Sequence, residues 1–361
     1  MKTSSTAITL LIVVAFANRA LAFHVANGLT DPCHEEMTAT AFFETLARVD
    51  FGDVPLPEGS CWQRLADDLI DTSGYDPARL DDRQRFVLFS LILGNRITDT
   101  GGHSFTDMEA KRWFQADRSD EAQYAHCLRG EGDDYLEGDL SAIAGTRAQI
   151  LGLVADAARQ LDLTPGRQII GVGIYIDYYG KVEMPVHVSW FLIGRALHTL
   201  QDSFSHTIRS EDDGLMKIVT VMNFIDVVRP GYDESRDGLA HSDNMDECYS
   251  DDMAPLTAAT RRASADFLRA VLEDFRTNGN AKVAGVLDDW MTLNPECMRQ
   301  EDRCGSQGWF DIARIEPSGD YLEQMIGCGP GGLAGSSWWF LLALVACAFR
   351  WLQGEANRKG S

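Results

Sequence analysis

The sequence predicts an all-α fold, a single multi-helix domain, and three observations carry that reading. Apolar residues recur at helical spacing along much of the chain, Pro/Gly-rich breakers separate the periodic stretches, and roughly 300 residues lie between two terminal apolar segments, enough for one large core. The organisation expected is a signal peptide over 1–22, a helical domain over 23–325 and a C-terminal tail over 326–361.

The elements follow in order. Lys2, the apolar run Ala7 to Phe16 and the small-residue end Ala20-Leu21-Ala22 form a secretory signal pattern, which puts the mature N-terminus at Phe23. After the Asp31-Pro32 turn, Thr38 to Val49 carries Phe42, Phe43 and Leu46 on one side and predicts a first helix; Arg83 to Leu93 predicts a second. Thr146 to Leu161 places Ile150, Leu153, Val154 and Ala157 on one face and stops before the breaker Thr164-Pro165-Gly166. Ile169 to Tyr179 is β-branched and aromatic, which suits a short strand or hairpin. The longest helix expected runs from Val186 to Arg209, opened by Pro185. Arg229 to Asp252, rich in Asp, Gly and Ser, reads as a loop, and Leu256 to Phe275 as a further helix through Phe267, Leu268, Val271 and Leu272. The tail begins at Cys328-Gly-Pro-Gly-Gly and continues through an apolar segment, Leu333 to Phe349, about long enough to cross a bilayer, with Arg350, Arg358 and Lys359 beyond it.

Composition narrows the function. A formal charge of −22 repels a nucleic-acid backbone, and no Lys/Arg run offsets it, so nucleic acid is an unfavoured partner unless bound metal carries the phosphate contacts. Of the eight cysteines, Cys328 and Cys347 belong to the tail; Cys33, Cys61, Cys127, Cys248, Cys297 and Cys304 are an even set that favours three disulfides in an exported domain, with the pairing left open.

The stretch that carries chemistry is Arg195-Ala-Leu-His-Thr-Leu-Gln-Asp-Ser-Phe-Ser-His206. At ~100° per residue His198, Asp202 and His206 form one ridge of a helix, drifting only ~80° around it. Two imidazoles and a carboxylate on a stripe flanked by Leu197, Leu200 and Phe204 are metal-ligand chemistry near the buried side, where unpaired polar groups are costly. His198 and His206 are ~12 Å apart along the axis, while zinc takes its ligands at ~2.0–2.2 Å. At least two metal positions follow, with His198 and Asp202 at one and His206 at another.

This motif resembles the central helix of the zinc-dependent phospholipases C and the related fungal single-strand nucleases, with a His-x-x-x-Asp followed by a further His. The resemblance spans, with gaps, about residues 23 to 275. It implies an all-helical domain with three zinc ions, of which two or three are expected here, with the amine and carbonyl of the mature N-terminal residue, here Phe23, as ligands; it also implies a His opening the first helix, a place that His34 in Cys33-His34-Glu35-Glu36 fits. It implies next a Gly-rich approach to an Asp and then a His before Phe, which Gly94-Asn-Arg-Ile-Thr-Asp99-Thr-Gly-Gly-His103-Ser-Phe105 supplies, although Asp99 and His103 stand closer together than the pattern expects. The last pair implied is a His with an acid four residues on. His241 has Met245 at that offset, so Asp243 or Asp246 must substitute, and Asp246 is preferred. His24, His126 and His187 are read as structural or surface residues. The tail resembles the C-terminal sorting tails of Gram-negative bacteria, with a plain membrane anchor as the alternative.

In the implied mechanism Asp99 is a ligand or the base that orients the attacking water, Asp202 bridges paired ions, and Asn95 or Gln201 orients the ligands from behind. Phospholipid is the substrate class expected, with a single-strand nuclease activity as the alternative. A non-catalytic, surface-anchored metal-binding module is the alternative from another class, motivated by the broken His241 pattern.

Overall fold

The computed structural model describes residues 32–103, 123–130, 135–176, 179–225, 231–277, 279–297 and 304–314. The expected signal peptide over 1–22, Phe23, His24 and the expected tail over 326–361 lie outside them. Among the described residues no helix is long and apolar enough to cross a membrane.

Helices dominate. They are α1 (Cys33–Thr45), α2 (Cys61–Thr72), α3 (Asp82–Thr100) and α4 (Tyr135–Leu161). A hairpin of β1 (Ile169–Ile176) and β2 (Gly180–His187) leads straight into α5 (Val188–Ser205). The short antiparallel pair β3 (Thr207–Arg209) and β4 (Ile218–Val221) follows, then α6 (Ala254–Thr277), α7 (Ala281–Trp290) and α8 (Gln307–Ala313). The all-α expectation is thus corrected to a mostly helical fold with two small sheets.

Local chemistry explains the boundaries. Asp81 caps α3 with its carboxylate on the N–H groups of Arg83 and Gln84, and Gln84 returns a bond to the Asp81 N–H, a reciprocal capping box. α3 then runs seven residues past the expected Leu93, and Gly101, in the left-handed region at φ 54°, ends it. α5 is shorter than the expected 186–209 because Pro185 and Val186 belong to β2, where Pro185 faces Gly171. At its far end His206 leaves helical geometry as the C-cap and the chain turns into β3.

α3 and α5 are buried almost all round over Phe86 to Leu93 and Ile193 to Leu200, and this places them at the centre of the core. They cross where both lack a side chain: a Cβ on Gly94 would stand 2.0 Å from the Phe191 carbonyl oxygen, and one on Gly194 2.1 Å from that of Leu91. Only glycine allows this backbone-to-backbone approach. α1, α4 and α6 pack around the pair.

Candidate metal centres

The glycine crossing sets the site. One and a half turns beyond Gly94, α3 delivers Asp99; one turn beyond Gly194, α5 delivers His198 and then Asp202. α1 adds His34, and a single 3-10 turn, Tyr124–His126, adds His126. Asp99, His126, His198 and Asp202 each offer a ligand atom, and these atoms all lie within 4.8 Å of one another. His198 Nε2 is 3.1 Å from Asp99 Oδ1 and 2.9 Å from Asp202 Oδ2, while His126 Nδ1 is 2.8 Å from Asp202 Oδ2. His34 Nε2 approaches the opposite oxygens, 3.1 Å from Asp202 Oδ1 and 3.8 Å from Asp99 Oδ2.

A second centre lies beyond the end of α5. His206, His241 and Asp246 bring three ligand atoms within 4.8 Å of one another. His206 Nε2 is 3.5 Å from Asp246 Oδ1, His241 Nε2 is 3.3 Å from Asp246 Oδ2, and the two imidazole Nε2 atoms are 3.2 Å apart. A main-chain ladder assembles it: Phe224 N–H donates to Arg129 O at 3.0 Å, Asn223 N–H donates to Leu239 O at 2.7 Å and His241 N–H to Asn223 O at 2.8 Å. The ladder flanks the residues after β4 with the segment that follows His126 on one edge and the segment that leads into His241 on the other.

Both centres fit a cation. The Asp99 and Asp246 carboxylates are fully buried, and none of their four oxygens accepts a hydrogen bond; Asp202 Oδ1 and His198 Nε2 are likewise buried without one. Buried carboxylates in that condition are costly. Imidazole nitrogens and carboxylate oxygens converging on one point are a transition-metal donor set. The surrounding groups fix the imidazoles for that role. His34 Nδ1 meets Gln201 Oε1 at 2.7 Å and His198 Nδ1 meets Asn95 Oδ1 at 3.3 Å, so each ring donates backwards and turns the Nε2 lone pair inward. Asn95 Nδ2 donates to Gln201 Oε1 at 2.9 Å and to Thr38 at 3.0 Å, which orients both amides. His206 Nδ1 bonds the main-chain carbonyl of His126. Beneath His34, buried Glu35 pairs with buried Arg96 at 2.9 Å, tying α1 to α3.

The electrostatics agree with a cation. Burial opposes charge on the His198 imidazole, but the carboxylates of Asp202 and Asp99 overcome it and take it up to about 10. Burial also opposes charge on Asp202, yet His198, His126 and His34 hold its carboxyl well below the ordinary range. Asp246 is taken down to about 2 against its burial by His241 and His206. A metal ion would replace those imidazole protons.

Of the residues expected to ligate, the structure brings His34, Asp99, His198 and Asp202 together at one centre and His206, His241 and Asp246 at the other. His103 is not among the ligand atoms of either. Gly102 packs against the Gly173 carbonyl of β1 and accepts a bond from Tyr175 N–H at 3.1 Å, so the chain is pinned to the hairpin just where His103 would have to turn inward. His126, read as structural or surface, stands in its place. Twenty-seven positions separate it from Asp99, and the scarcity of histidine, eight in the whole chain, is the sole sequence signal for it. Asp246, five residues after His241, serves because a 3-10 turn over Asp243–Asp246 buries Met245 in the core and swings Asp246 to the centre.

The cysteines also depart from expectation. Among the described residues two disulfides are present, Cys33–Cys248 and Cys297–Cys304, whereas Cys61, exposed at the start of α2, and Cys127, buried beside His126, pair with no other described cysteine. Burial pushes the Cys127 thiol up to about 12, which leaves it unreactive.

The fold and site define a mostly helical protein with two buried His/carboxylate centres able to hold metal ions. No protein-family model matches the chain, and no solved structure matches it. Hemolysin-1 of Aeromonas salmonicida is similar, 25% identical over 223 residues that cover 55% of this chain and 37% of the hemolysin. The chain thus spans little more than a third of that relative's length.

Proposed function

We propose that this chain is an exported zinc-dependent phosphodiesterase that hydrolyses phospholipid headgroup esters. The observation that carries the reading is the pair of buried centres, Asp99/His126/His198/Asp202 with His34 beside them, and His206/His241/Asp246. Zinc bound there supplies Lewis-acid polarisation of the phosphate and lowers the pKa of a water toward ~7. The protein's part is geometry. Asp202 presents one oxygen toward His34 and the other toward His126 and His198, so it would hold metal together with those imidazoles. Asp99 faces imidazoles with both oxygens and serves as a ligand rather than as a free base. His103 has no part in the reading, and Phe23 remains the proposed N-terminal ligand.

Lipid is favoured over polynucleotide by the charge of −22 and by the relative, whose name denotes lysis of red cells. Disulfides belong to oxidising compartments, which supports export. The membrane is the proposed partner, through the tail over 326–361. The test is to express the chain from Phe23 with a native N-terminus, count zinc by elemental analysis, and assay phosphatidylcholine and single-stranded DNA side by side. Two or three zincs with chelator-sensitive lipid hydrolysis, lost in His198→Ala and Asp202→Ala, support it. DNA cleavage alone replaces it with the nuclease reading, zinc without turnover with a binding module, and folded protein without zinc rejects the metal reading.

A further inference from the structure

We propose that the two centres load as one unit, each raising the other's affinity for zinc; the inference rests on the metal reading above and goes beyond it by coupling the sites. His126 belongs to both centres. Its ring offers Nδ1 to the first, 2.8 Å from Asp202 Oδ2, and its main-chain carbonyl accepts the Nδ1–H of His206, a ligand of the second. Nδ1 is the ring nitrogen nearer the backbone, so its position follows the main chain of residue 126. Whatever fixes that carbonyl therefore fixes a first-centre ligand, and an ion on His206 Nε2 does so by holding its ring and strengthening its Nδ1–H as a donor.

Two further links join the same centres. Asp202 lies in the last turn of α5 and His206 is its C-cap, with His206 N–H on Asp202 O at 2.9 Å, and His206 O accepts from Met222 N–H at 2.9 Å, whose own carbonyl takes the Arg129 N–H at 2.9 Å. The chain that positions His126 is thus pinned through β4 to His206. The Cys33–Cys248 disulfide, between Cα atoms 5.9 Å apart, joins the residue before His34 to the residue two past Asp246. Both cysteines are buried, so the bridge acts as a fixed brace between a first-centre helix and a second-centre turn. Coupling is reciprocal by necessity: if an ion at the second centre orders the first, an ion at the first orders the second.

The experiment titrates the metal-free full chain with zinc against a chromophoric chelator and reads affinities, not turnover. His241→Ala leaves only the first centre and His198→Ala only the second; Asp246→Asn repeats the former with a conservative change, and circular dichroism of the metal-free variants verifies the fold. The product of the two wild-type association constants is expected to exceed the product of the single-centre constants by about tenfold or more. Opening the brace by Cys33→Ser with Cys248→Ser is expected to shrink that ratio. Equality within twofold overturns the coupling while leaving the metal reading intact. Wild-type chain that takes no zinc at all overturns the metal reading itself, and the two failures are distinct.

Discussion

His187 shows what a histidine here does when no carboxylate faces it. It ends β2, is 1% exposed, and burial takes its imidazole down to about 4. The unfolded chain protonates this group near pH 6.5 and the folded chain near 4, so between those values the unfolded state binds more protons and stability falls as pH falls. A shift of this size corresponds to about 3 kcal/mol lost across that window. Urea melts of metal-free wild type and His187→Leu at pH 7 and pH 4 are expected to show the variant losing less stability by about that amount; equal losses would mean that the ring charges without penalty. The same contrast explains what was legible. His198, Asp202 and His206 announce themselves by spacing on one helix, whereas His126 sits on a lone 3-10 turn far from its partners and carries no local pattern. His103, though near Asp99 in sequence, is not in either group of converging ligand atoms, and the residue before it is pinned to the hairpin.

Among the helices the decisive feature is the crossing of α3 and α5. The sequence shows Gly94 and Gly194 as isolated glycines within apolar runs, and their partnership needs the third dimension. Gly194→Ala would push a methyl to 2.1 Å from the Leu91 carbonyl oxygen and 3.0 Å from the Asn95 nitrogen, both backbone atoms that cannot rotate away. The helices must separate, at a cost of about 3 kcal/mol or more, and Asp99 moves away from His198 and Asp202. Lower stability in urea together with reduced zinc stoichiometry is the expected outcome. Gly152→Ala on the exposed face of α4, where a Cβ meets nothing within 4 Å, is the control and should gain about 0.5–1 kcal/mol. If both substitutions behave alike, the crossing is not what positions the site. Helix existence was readable from periodicity in α1, α3, α4, α5 and α6. Their ends were less so: the merging of Pro185 into β2 depends on its partner Gly171 across the hairpin, and the extra turns of α3 on the helix it crosses.

For the whole molecule, charge and metal meet in one balance. The chain carries −22 formally and buries Asp99, Asp202 and Asp246 at its two centres, so a divalent cation removes both self-repulsion and the cost of carboxylate oxygens without hydrogen bonds. A ligand held only by the folded state stabilises by ~2.7 kcal/mol at a hundredfold excess over its Kd, so two filled centres contribute ~5 kcal/mol. In a domain of this size each kcal/mol moves Tm by about 2–4 °C, and removing the metal is therefore expected to lower Tm by about 10–20 °C. Screening of surface repulsion would also raise Tm, so the measurement compares zinc, magnesium and sodium chloride added to chelated protein. Imidazole-rich centres select zinc over magnesium, which prefers oxygen ligands, whereas screening follows ionic strength regardless of the ion. Recovery by stoichiometric zinc alone, smaller in Asp99→Asn where only the second centre is complete, is the expected result; equal recovery by sodium chloride would place the stabilisation on the surface and not at the two centres.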